Sequence, residues 1–197
     1  MTLAQYYYLV ASLPMLFFAD APPFSSRSWL ERCREQVAAT DHALLTRIGW
    51  NAPIFRPGDH AVWQAVASWE TALRNELALQ RAQRLGWAPE PFLREAPFYA
   101  GMPALVKEAL GAGTAKTIET ALDRRRWAVL EELENGTQFD LGRLIAYRLK
   151  LLLLERHDRF RPEPGREAFE REYAQVLNQA AWANGVGPAA HTEKRHD

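Results

Sequence analysis

Residues Leu141 to Arg156 read Leu-Gly-Arg-Leu-Ile-Ala-Tyr-Arg-Leu-Lys-Leu-Leu-Leu-Leu-Glu-Arg. Wound as an α-helix, this segment has almost no polar face. Leu141, Leu144, Ile145, Leu149 and Leu151 to Leu154 reach most of the way around the wheel. A helix that is apolar nearly all round is either enclosed by other helices or lies in lipid. Arg143, Arg148 and Lys150 interrupt the run before it reaches the ~20 apolar residues that a membrane span requires. The segment therefore predicts the central helix of a helical globule with no direct membrane span.

The rest of the chain reads as helices separated by Pro and Gly breaks. Ser25 or Ser26 is placed to cap a helix running to about Ala39, with Trp29, Cys33 and Val37 on one face. Asp41 is placed to cap a short helix ending near Trp50. A long helix is expected from about Asp59 to Leu85, with Trp63, Val66, Leu73, Leu77 and Leu85 as its apolar stripe. Glu70 and Arg74 form an exposed i, i+4 pair on it, and Gly86 stops it. Pro89, Pro91, Pro97, Gly101 and Pro103 break the next stretch, before a short helix over 104–110. Thr114 caps a helix with Ile118, Leu122, Val129 and Leu133 as its stripe, ending at Asn135-Gly136. Asp140, or a residue just before it, caps the apolar helix, which extends to about Phe160. A last helix is expected over 166–182, and the polar tail 185–197 is expected to be disordered. For Tyr6 to Leu13 a strand and a short buried helix both stay open, because Tyr and Val favour extended structure while the context is helical.

These segments predict an all-α fold, an irregular bundle of about six helices. Its 197 residues suggest a single helical domain over 1–184, or two closely packed halves, 1–88 and 104–184. No Lys or Arg precedes Arg27, so the apolar stretch Leu9 to Phe18 lacks the positive region of a signal peptide and reads as mature structure of a cytoplasmic protein.

Composition narrows the chemistry. There are 24 basic and 24 acidic residues, so no overall charge points to nucleic acid. Arg124-Arg125-Arg126-Trp127 reads as a solvated helix face balanced by Glu131, Glu132 and Glu134, since phosphate binding needs a net basic surface. Cys33 is the only cysteine, which excludes a disulfide framework and a multi-cysteine zinc site. His42, His60, His157, His191 and His196 are scattered, and no His-Glu-x-x-His motif occurs. Gly111-Ala-Gly113 lacks the third glycine and the preceding strand of a nucleotide loop. No cofactor, metal or catalytic residues are therefore assigned. Seven tryptophans are many for this length. Trp29, Trp63 and Trp127 lie at core spacing, leaving one or two others as exposed anchors of the kind enriched at binding hot spots.

Three segments together carry a resemblance: Tyr6-Tyr-Tyr-Leu-Val-Ala-Ser-Leu-Pro14, Trp69 to Gly86, and Phe139 to Arg156. The set resembles a bacterial family of unknown function encoded beside V-type (A/V-type) ATP synthase genes. That family is distantly similar to the C subunit (eukaryotic d subunit) of those rotary ATPases. The resemblance implies a non-catalytic helical socket that couples the central shaft to the membrane rotor ring. It also implies central-stalk and rotor-ring partners, and a position peripheral to the inner membrane through the ATPase complex. The chain is much shorter than a full C subunit, which has repeated helical layers. A generic helical adaptor or assembly factor, and less favourably a small helical enzyme or ligand carrier, are the alternatives.

The polar residues to follow are Arg74, Asn75 and Arg81 on the long helix, and Arg143, Tyr147 and Lys150 on the apolar one. Unpaired charge in a buried helix is costly. The latter three are therefore expected to pair within the chain, for instance with Glu70, Asp140 or Glu155, or else to meet a partner directly.

Overall fold

The computed structural model describes residues 6–159 apart from Ala19 and Ala52, together with Glu172 and Tyr173. The chain divides after Asp158 into two units, Met1–Asp158 and Arg159–Asp197. Seven α-helices are described: α1 Tyr7–Ala11, α2 Ser26–Cys33, α3 Ala39–Arg47, α4 Ala61–Leu85, α5 Met102–Leu110, α6 Ala115–Glu134 and α7 Leu141–Arg159. No strand occurs among the described residues, so the fold is all-α. The helix expected over 166–182 and the tail after Gly185 lie outside the described residues.

Local signals set most boundaries. Ser25 accepts from the Ser28 amide at the start of α2, Thr114 from the Thr117 amide at the start of α6, and Asp140 from the Arg143 amide in the first turn of α7. Gly86 ends α4 in the left-handed conformation, φ 68°. Other boundaries shift for tertiary reasons. The α2 helix stops at Cys33, short of Ala39, and Val37 reaches the core from the following turn. The α3 helix begins at Ala39, before Asp41, because the Asp41 carboxylate is taken by the Tyr6 hydroxyl at 2.6 Å. Asp59 is likewise taken by Arg47 (2.5 Å) and the Arg56 amide, so the His60 ring caps α4 instead. Tyr6 to Leu13 resolves as the short helix α1. With no neighbouring strand to pair with, Leu9 turns inward and the Tyr6 amide bonds the Phe139 carbonyl.

Two cores result. The larger surrounds α7. Leu144, Ile145, Leu149, Leu151, Leu153 and Leu154 are enclosed by Leu9 of α1, Trp29 and Cys33 of α2, Leu45 of α3, Trp63 and Val66 of α4, and Trp127 and Leu130 of α6. Each such leucine contributes about 2 kcal/mol by leaving water. The smaller core joins Trp69 and Leu73 of α4 to Val106 of α5 and Leu122 of α6. Leu85, expected on the core stripe of α4, is exposed.

A buried ion network lies on α4 and α6 between the residues that feed the two cores. Glu70, expected in an exposed pair, has 0% exposure. Arg126 grips its carboxylate through Nε (2.8 Å) and Nη2 (3.0 Å), and Arg74 Nε adds a third bond at 2.9 Å. Arg126 Nη1 also bonds Asp123 Oδ1 at 2.8 Å, and Asp123 receives Arg156 Nε of α7 at 2.9 Å. The three consecutive arginines of α6 therefore do not share one solvated face. Arg124 lies over the Phe18 ring, Arg125 pairs with Glu108, and Arg126 is buried.

Two predictions follow from this network. Arg126→Met keeps much of the side-chain volume but leaves Glu70 and Asp123 short of donors. The expected loss is about 3 kcal/mol, read as a lower denaturant midpoint at unchanged slope. The second concerns His157, whose Nε2 lies 3.2 Å from Asp123 Oδ2. Burial, then the Arg156, Arg124 and Lys116 charges, lower its pKa from the ordinary 6.5. The folded state then binds fewer protons than the unfolded one, so stability is lost as pH falls below about 6.5. His157→Gln should flatten the stability–pH curve between about pH 6.5 and about pH 5.

Candidate interaction surface

The polar stripe of α7 is closed from within. Lys150 Nζ donates to Glu134 Oε2 at 2.6 Å, and Arg143 Nη1 lies 3.2 Å from the same oxygen. Lys150 also sits 4.9 Å above the Trp127 ring. The partner is thus Glu134, at the end of α6, rather than Glu70, Asp140 or Glu155. Those three are engaged elsewhere: Glu70 with Arg126, Asp140 with its own helix amide, and Glu155 with the Ser26 amide and hydroxyl. Tyr147 is buried, its ring 5.6 Å from that of Trp29, and its hydroxyl makes no hydrogen bond.

The three polar positions of α4 separate. Arg74 bonds Glu70 and the Trp50 and Asn51 carbonyls, fastening the 48–51 turn. Asn75 exchanges two hydrogen bonds with the Arg94 backbone, its Nδ2 donating at 2.6 Å and its Oδ1 accepting at 3.0 Å. It fixes the 87–101 stretch against α4. Arg81 is exposed, with no hydrogen bond or ion pair among the described residues.

That fixed stretch carries the open surface. Past Gly86 the Trp87 amide bonds the Ala82 carbonyl, and a 3₁₀ turn covers Glu90–Phe92. Leu79 and Leu85 of α4 are exposed together with Trp87 (62%), Phe92, Leu93 and Phe98 (88%). A shallow cavity of about 190 Å³ opens beside Phe98, between Asn75 and Leu79 of α4 and Met102 of α5. Large apolar groups gathered this way on a rigid backbone mark an interaction site. Trp87 is the exposed tryptophan anchor, whereas Trp29, Trp50, Trp63, Trp69 and Trp127 are buried. Sequence reading passed over Phe92 and Phe98. The available signal was that aromatics in a proline-rich stretch without helical or strand period have no core face to join.

A second group of features lies at the crossing after α1. Phe18 anchors it, 5.6 Å from the Trp127 ring and 4.9 Å from His157. Met15 and Phe17 stay exposed. Cavities of about 490 and about 290 Å³ share Leu16, Phe17 and Glu131 as walls. Arg148, read above only as an interruption of the leucine run, is buried with Nε and Nη1 unpartnered. Burial lowers its pKa, against the opposing pull of Glu155. Among the described residues, no three His, Cys, Asp or Glu side chains are grouped to hold a metal ion. No described helix is long and apolar enough to cross a membrane.

Glu134→Gln tests the closed stripe. It leaves Lys150 buried beside a neutral amide and should cost about 2–3 kcal/mol in chemical denaturation. Arg81→Ala, in the same assay, should stay within about 0.5 kcal/mol of the parent.

No protein-family model, no curated protein and no solved structure matches this chain.

Proposed function

We propose that this chain is a non-catalytic helical protein that works by binding other proteins, as a subunit or accessory protein of a V-type ATP synthase. In this reading it couples the central shaft to the membrane rotor ring and is held at the membrane only through that complex. The observation that carries the protein-binding part is the aromatic edge: six large apolar side chains, Leu79, Leu85, Trp87, Phe92, Leu93 and Phe98, left in water on one helix end and the stretch after it. Water-exposed aromatics of this kind gain free energy when a partner covers them. The ATP synthase part is supported by the joint resemblance of the three sequence segments. The internal pairing of Arg143 and Lys150 supports a scaffold role for α7 and moves the contact surface to the edge. The short chain favours an assembly factor as the second reading, since a full C subunit has repeated helical layers.

The test is recovery of partners by the tagged full-length chain from native membranes. Central-stalk and rotor-ring subunits are expected with the parent protein. A Trp87→Ser, Phe98→Ser double variant should recover them at least about tenfold less well, with an unchanged thermal melt, because both side chains are already solvated in the free protein. Absence of every rotor component from a folded parent sample would overturn the reading.

A further inference from the structure

The larger cavity beside the 13–17 crossing has an uneven hydrogen-bonding inventory. On its floor, one carboxylate serves two cations, since Glu134 Oε2 takes both Lys150 Nζ and Arg143 Nη1. That group of three carries a net positive charge. Lys150 is buried and keeps two N–H donors beyond the one given to Glu134. Tyr147 lines the same cavity, is 6% exposed, and its hydroxyl has no partner. Burial pushes the Tyr147 pKa up to about 12, so the hydroxyl stays protonated near neutrality. The other acid on the wall, Glu131, is exposed to water and accepts from Trp127 Nε1 at 2.8 Å. The facing wall is apolar, formed by Val10, Leu13, Leu16 and Phe17. An unpartnered buried hydroxyl costs free energy unless something accepts from it.

We propose that this cavity binds a carboxylate carried on an apolar body, its oxygens accepting from Lys150, Tyr147 and Arg143 while the body lies on Leu13, Leu16 and Phe17. A single negative charge balances the group around Glu134. A dianionic phosphate would exceed that charge and gain nothing from the apolar wall. A cationic ligand would compete with Lys150 and Arg143 for one carboxylate. The volume, about 490 Å³, is that of a small-molecule site. The carboxylate has two sources, a free amphipathic acid or the C-terminus of another chain. The site is separate from the aromatic edge and stands whether or not the stalk reading holds.

Full-length protein is titrated with phenylbutyrate and with an acetylated pentapeptide ending in leucine and phenylalanine. Each is compared with its neutral amide by saturation-transfer NMR and calorimetry. Binding of an acid without binding of its amide supports the site. Binding of phenylbutyrate identifies a free acid as sufficient, and binding of the peptide acid alone identifies a chain terminus. Tyr147→Phe should weaken the acid about tenfold, with a thermal midpoint unchanged or raised, because the deleted hydroxyl has no partner to lose. The proposal is overturned if neither acid binds the folded protein, if acid and amide bind alike, or if Tyr147→Phe binds as tightly as the parent.

Discussion

A carboxylate with no exposed surface must have its charge answered inside the protein, and Glu70 is answered by a two-pronged bond from Arg126 with a third bond from Arg74. Because the guanidinium fork is planar and rigid, it accepts that carboxylate in one orientation only. This sets the register of α4 against α6. Asp123 passes the constraint to α7 through Arg156. The network's effect is geometric more than additive. Well-packed apolar groups could replace such a cluster at little cost, whereas removal of one member leaves the others buried and unpaired.

With α4, α6 and α7 held in register, the leucines of α7 are enclosed on all sides and the helix becomes scaffold. The same register brings Glu134 beside Lys150 and Arg143, so the polar stripe is neutralised before any partner arrives. The smaller core around Val106 and Leu122 has room for few side chains. The stretch after Gly86 meets α4 chiefly through the backbone bonds of Asn75 to Arg94, which hold main chain and leave side chains outside. Trp87, Phe92 and Phe98 are exposed for that reason. The molecule therefore presents two different surfaces on one rigid frame: an apolar edge suited to protein contact, and a donor-rich cavity suited to a carboxylate.

Helix identity and most helix ends could be read from neighbouring residues alone. Ser25, Thr114, Asp140 and Gly86 act within one turn of their own positions, and the period of Trp63, Val66 and Leu73 marks a buried face whatever lies opposite. The all-α class and the central place of α7 follow from those local rules, as does the failure of the Leu141–Arg156 run to reach membrane-spanning length. Each misread position has a partner far along the chain. Asp41 looked like a cap until Tyr6 claimed it. Glu70 looked solvent-facing until Arg126, 56 residues away, covered it. The basic run 124–126 looked like one patch until the fold turned its three arginines toward Phe18, Glu108 and Glu70.

The sequence by itself determined that this chain is helical, that Leu141 to Arg156 must be enclosed, and that its charges needed answering. Periodicity and capping depend on residues within a few positions, so no folding is needed to see them. Only the tertiary structure decided that Glu134 gives that answer, that Tyr147 is left with an idle hydroxyl in a cavity, and that Trp87 and Phe98 face water. Charge partners and exposure depend on which distant segment arrives at each place, and no local pattern records that.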